Sequence, residues 1–85
     1  MKMLILPDSS ANLKNIFVVG DIVVFRSALL DISSTFTRLN PEAKAWIMEN
    51  IPTTEVLEPS DNYIDGVDLA FSSKEDVAKF NLFWL

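Results

Sequence analysis

The chain has 85 residues, 49% of them apolar, with seven Lys and Arg against twelve Asp and Glu and neither histidine nor cysteine. That length suits one domain burying only roughly 60 to 65% of its unfolded surface, so large side chains have to fill a thin core. The missing residue types exclude the usual zinc centres, Ser-His-Asp and Cys-His catalysis and a disulfide framework, and the lack of cysteine points to a reducing, cytoplasmic setting.

In chain order, Lys2 to Leu6 reads as a short strand. Its apolar run stops at Pro7-Asp8-Ser9-Ser10, too soon for the h-region of a signal peptide. Pro7 to Asn12 is a turn-rich loop, and Asn15 to Val19 is β-branched and aromatic enough for a second strand ended by Gly20-Asp21. From Asp21 as N-cap, Ile22, Phe25, Leu29, Ile32, Phe36 and Leu39 recur at steps of three and four, which predicts a helix over 21–39. Val23-Val24 are poor helix formers, and the alternative is that Ile22 to Arg26 extends a strand. The apolar stretch from Ile16 to Leu30 carries Asp21 and Arg26 and is therefore a poor membrane span.

Asn40-Pro41-Glu42 supplies an N-cap, a first-position proline and a first-turn acid, so a helix should run to about Asn50, with Ala43, Trp46, Ile47 and Ile51 on its apolar side. Pro52 stops it. Thr53 to Leu57 reads as a strand, and Pro59 to Asn62 and then Asp65-Gly66 as turns. Val67, Leu69 and Phe71 alternate with Asp68 and Ala70, the pattern of a strand with one buried and one wet face. Ser72 to Glu75 has capping-box spacing for a helix through about Phe80, and Leu82 to Leu85 is expected to close the chain as a strand. The expectation is a single α+β domain over 1–85, a small antiparallel or mixed sheet packed with two to three helices. Phe17, Phe25, Phe36, Trp46, Phe71, Phe80 and Trp84 are assigned to its core.

Only carboxylates, lysines, hydroxyls and one tyrosine remain as catalytic groups, and two glycines cannot build a glycine-rich phosphate loop. Asp61, Asp65 and Gly66 match the first, fifth and sixth positions of a calcium loop. Tyr63 at the third, Asp68 at the eighth and Ser72 at the twelfth do not, so a turn is the better reading. Asp65, Asp68 and Glu75 are the acids closest to a magnesium-site arrangement, but no lysine motif accompanies them. The chain is read as having no catalytic, cofactor or metal site, and as no enzyme.

Charge is uneven. Five bases balance five acids up to Thr54, whereas Glu55, Glu58, Asp61, Asp65, Asp68, Glu75 and Asp76 face only Lys74 and Lys79 thereafter. Such a surface repels phosphate backbones and anionic lipids, which leaves a protein with a basic surface as the expected partner and these seven acids as candidate contacts. The alternative interface is apolar, made by Val19, Val23 and Leu30 off the main stripe of the expected helix, for a target or a homodimer mate. Val67 to Phe71 followed by Ser72 to Trp84 resembles a closing strand-helix-strand of small accessory proteins of T-even-type tailed bacteriophages, with Asp76, Phe80, Leu82 and Trp84 at the comparable positions and Asn81 in place of a lysine. The resemblance implies a phage-encoded, cofactor-free inhibitor or modulator of a host polymerase, nuclease or defence complex, acting in the host cytoplasm. It carries no site residue across. The alternatives are an oligomeric interaction domain or accessory subunit of a phage assembly, and a carboxylate-dependent enzyme.

Overall fold

Met3-Leu4-Ile5-Leu6 is apolar at every position, the mark of a strand covered on both faces. The computed structural model, which describes residues 1–12, 21–32 and 36–85, places this run at the centre of a sheet. Strand β1 (Lys2–Leu6) pairs in parallel with β2 (Asp21–Phe25) and antiparallel with a later strand, Val67–Ala70. Short pairs form at β3 (Leu30–Asp31) and β4 (Arg38–Leu39); then come α1 (Pro41–Asn50), β5 (Glu55–Leu57), β6 (Val67–Ala70) and α2 (Lys74–Trp84). The four-stranded sheet has the order β2-β1-β6-β5 and is mixed, so the fold is α+β as expected.

Register sorts the two faces. Met3 lies opposite Leu69 and Ile5 opposite Val67; these four join Ala43, Ile47 and Ile51 from the α1 region and Val77 and Phe80 of α2 in one apolar cluster. Lys2, Leu4 and Leu6 point to the second face with Asp68 and Ala70 of β6 and Glu55 and Leu57 of β5. The 58–66 loop folds across part of that face through Ser60 N–H to Gly66 O (2.8 Å) and Gly66 N–H to Tyr63 O (2.9 Å). Gly66 is required by this close approach: a Cβ there would lie 2.8 Å from Leu6 Cδ2 and 2.9 Å from the Ile5 carbonyl oxygen.

Helix α1 starts where the sequence places it. Asn40 accepts a hydrogen bond from Glu42 N–H (2.8 Å), Pro41 takes the first position, and Asn40 Nδ2 donates to Ala28 O (3.2 Å), tying the cap to the preceding turn. Asn40→Ala is expected to cost about 1 to 2 kcal/mol, the upper part of the usual N-cap range. Thermal unfolding of the variant measures it.

Three expectations fail. The described residues of 21–39 do not form an α-helix: Asp21–Phe25 is β2, a 3-10 turn follows at Ser27–Leu29, and then β3. The β-branched run takes the strand that its propensity favours, and Arg26 N–H to Leu6 O (2.9 Å) with Asp8 N–H to Ser27 Oγ (2.7 Å) fixes the exit from β2. The alternative of a strand over Ile22 to Arg26 is the one that forms, with bounds Asp21–Phe25, so that Arg26 lies just beyond it. Second, Leu82 to Leu85 is not a strand, because α2 runs to Trp84. No glycine or proline interrupts it, and Phe83 and Trp84 both pack on Trp46, at 5.1 and 6.3 Å between ring centroids. Its N-cap is Ser73, which accepts from Asp76 N–H; Ser72 donates instead to Thr53 Oγ1 at 2.7 Å. Third, Asp68 does not lie on a wet face but is 8% exposed, since β6 is interior and the loop covers it. Of the aromatics assigned to the core, Phe71 and Phe80 are buried, Trp46, Trp84 and Phe25 are half-buried and Phe36 is exposed. The strand expected over Asn15 to Val19, with Phe17, lies outside the described residues.

Candidate partner-binding cleft

Three of the seven candidate acids meet on the second sheet face. Glu55 and Asp68 come from adjacent strands and Asp61 from the covering loop; with Lys2, Val56, Leu57, Asn62 and Ala70 they line a cleft of about 210 Å³. Its charged side chains are three carboxylates and one lysine, a net of −2. Lys2 was missed as a site residue because only the strand register reveals it: it lies opposite Ala70, 68 positions away in sequence.

Asp68 sits in this cleft under specific constraint. Its Oδ2 accepts from Ser60 Oγ at 2.9 Å, and Ser60 Oγ in turn accepts from Asn62 N–H at 3.2 Å, which holds the loop over the sheet. Its Oδ1 is buried and has no hydrogen-bond partner among the described residues. A buried carboxylate oxygen left without a donor is costly, which sets Asp68 apart from the exposed Glu55 and Asp61.

The other four acids are elsewhere. Asp65 is exposed on the turn before Gly66, and Glu75 and Asp76 lie in the first turn of α2, where they complement the helix dipole. Glu58 is structural: its side chain is 17% exposed, pairs with Lys44 and accepts from Leu39 N–H at 2.8 Å. Burial raises its pKa, but the Lys44 hydrogen bond, the Leu39 N–H and the charges of Lys44 and Arg38 outweigh it, so the carboxyl is held below its ordinary value.

The apolar stripe of Val19, Val23 and Leu30 does not form as expected. Leu30 is 7% exposed in the core cluster because it belongs to β3 opposite Leu39, not to the back of a helix; Val23 is half-buried on β2, and Val19 lies outside the described residues. A different apolar surface is present at the end of α2, where Leu82 is 91% and Phe83 63% exposed beside Trp46, Asn50 and Lys79. The expected closing strand concealed it.

Among the described residues no group of three or more acids is placed to hold a metal ion. Also among them, no helix is long and apolar enough to cross a membrane. No family model matches the chain, and no curated protein or solved structure matches it either. The closing strand in the phage-protein resemblance is the last part of α2, which leaves β6 and the start of that helix as its basis.

Proposed function

We propose that this chain is a small non-enzymatic binding protein that docks a basic segment of another protein against the second face of its sheet. The observation that supports this best is the convergence of Glu55, Asp61 and Asp68 from three separate stretches of sequence on one cleft. Concentrated charge of one sign steers an oppositely charged partner and sets its orientation. In this proposal the chain inhibits or modulates its partner by occupying a basic surface, and a host polymerase, nuclease or defence complex is the partner that the phage resemblance implies. The chain performs no reaction of its own.

The test is capture from bacterial lysate on the immobilised chain, compared with the Glu55→Lys/Asp61→Lys double variant. Both positions are exposed, so the variant keeps its fold while the cleft charge changes from −2 to +2. The partner is expected to elute as salt shortens the screening length below about 8 to 10 Å and to be missing from the variant. A partner held equally by both proteins and resistant to salt would overturn the proposal. The second reading is self-association through Leu82 and Phe83, favoured by their exposure on an aromatic surface. Light scattering on the wild type and on Leu82→Lys separates it, since only this reading requires a dimer that the substitution dissolves.

A further inference from the structure

We infer that the surface between the C-terminal halves of α1 and α2 is a second docking site, taking a short acidic segment of a partner protein that carries one large apolar side chain. It lies apart from the acidic cleft: α1 and α2 pack on the face of the sheet that holds Met3, Ile5, Val67 and Leu69, and the cleft is on the other. Trp46, Asn50, Lys79, Leu82 and Phe83 line a hollow of about 390 Å³. Trp46 is fixed there by three rings, stacked with Phe83 at 5.1 Å between centroids and meeting Phe80 and Trp84 edge-on at 6.2 and 6.3 Å. Asn50 Nδ2 donates to Trp46 O at 2.9 Å, which holds its amide in place. Leu82 and Phe83, by contrast, are 91% and 63% exposed. A held aromatic ring beside exposed apolar side chains lets a partner bury an apolar group with little cost of ordering the surface that receives it.

Charge selects the occupant. In a chain with twelve acids against seven bases, the one charged residue lining this hollow is a base, Lys79. The second-face cleft is lined by Glu55, Asp61 and Asp68, and the hollow beside β4 holds Asp31 and Glu58 with Arg38 and Lys44. Lys79 is exposed, and no ion pair joins it to an acid among the described residues. Glu75, one turn earlier on α2, is the acid placed to compete for it. A carboxylate next to the docked apolar side chain gives Lys79 a partner, and screening over about 8 to 10 Å makes this near charge outweigh the distant acids. A second copy fits less well, because in a two-fold contact the patch meets itself and its lining has no acid to set against Lys79. Two exposed apolar side chains and a half-buried third also fall well short of the roughly 800 Å² per partner of a standard interface, and suit a short segment.

The experiment titrates the full chain with four capped tripeptides: phenylalanine between two glutamates, two glutamines or two lysines, and glycine between two glutamates. It follows the Trp46 indole N–H and the backbone amides of Asn50, Lys79 and Phe83 by NMR at physiological salt. The glutamate-flanked phenylalanine is expected to give saturable shifts at all four groups and the glycine peptide to give none. The glutamine-flanked peptide should bind up to about fivefold more weakly, the range of an exposed charge pair, and the lysine-flanked one more weakly still. Lys79→Met should erase the preference for glutamate over glutamine, and Glu75→Gln should strengthen it. Leu82→Ser, at an almost fully exposed position that folding does not depend on, should weaken all three phenylalanine peptides. Equal binding of the glutamate- and lysine-flanked peptides, a glycine peptide that binds as well as phenylalanine, or a glutamate preference that survives Lys79→Met would overturn the site. Shifts at Lys79 and Phe83 on dilution of the chain alone would overturn it too, since a second copy then covers the patch. The Glu55→Lys/Asp61→Lys variant should give the same peptide shifts at these groups, so a failure of the cleft reading leaves this site standing and a failure here leaves the cleft reading untouched.

Discussion

Phe80→Ala is expected to lower stability by about 3 to 5 kcal/mol, which leaves a domain at the low end of the usual 5 to 15 kcal/mol with only about 0 to 2 kcal/mol. Phe80 is 0% exposed, and its ring meets Trp46 edge-on at 6.2 Å and Phe71 at 5.6 Å, so it joins α2 both to α1 and to the chain leaving β6. Truncation removes the ring's transfer energy and leaves a cavity between two helices and a sheet, which a thin core has little spare material to fill. Urea unfolding measures the loss as a lower midpoint at unchanged slope. Leu82→Ala in the same helix is the control: its side chain is almost fully exposed, so its midpoint should stay within about 0.5 kcal/mol of the parent. A Phe80→Ala protein as stable as Leu82→Ala would mean that α2 is not seated on the sheet. Trp84, which a central strand would have made the keystone, is half-buried at the end of α2, with Nε1 buried and without a hydrogen-bond partner among the described residues. Its removal should cost less than that of Phe80.

The contrast between α1 and residues 21–39 shows which parts of the fold local chemistry decides. Asn40-Pro41-Glu42 carries three independent helix-start signals within three residues, and each acts through the backbone of that same turn, so the prediction holds. The stripe from Ile22 to Leu39 rested on spacing and a single N-cap candidate, Asp21, and spacing of three and four also arises when a strand, a 3-10 turn and another strand each place an apolar residue inward by their own rule. There Leu29, Leu30 and Leu39 are buried while Ile32 and Phe36 are exposed, which no single helical face produces. The β-branched run was the better guide to β2, because steric preference acts residue by residue whatever the neighbouring period. The acidic surplus of the last third was legible from composition. Its division into a cleft trio, a structural Glu58 and a helix-start pair was not, because Asp68 faces the cleft only through pairing with Leu4 and Leu57, and Glu58 turns away only because Lys44 and Leu39 lie beside it.

Glu58 therefore belongs to stability rather than to binding, and its removal is the second large effect expected. Its carboxylate holds three separate pieces together: the Leu39 N–H at the end of β4, the Lys44 ammonium on α1 and the chain leaving β5. Glu58→Ala leaves the half-buried Leu39 N–H without its acceptor and Lys44 without its counter-charge, at a cost of about 1 to 3 kcal/mol. Glu58→Gln keeps an acceptor for Leu39 and loses only the charge, so it should lie between the alanine variant and the parent. Acid supplies an independent check. Because the folded carboxyl is held below its ordinary value, the folded state binds fewer protons at this position than the unfolded chain in that range. Its contribution is then complete above the unfolded carboxylate value of about 4.3 and disappears as pH falls through the lower folded value. The stability difference between parent and Glu58→Gln should therefore be constant near neutral pH and narrow below about pH 4.3. Chemical denaturation across a pH series measures it. A difference that stays constant down to the most acid conditions in which the parent remains folded would mean that the Lys44 pair contributes nothing and that Glu58 acts through the Leu39 hydrogen bond alone.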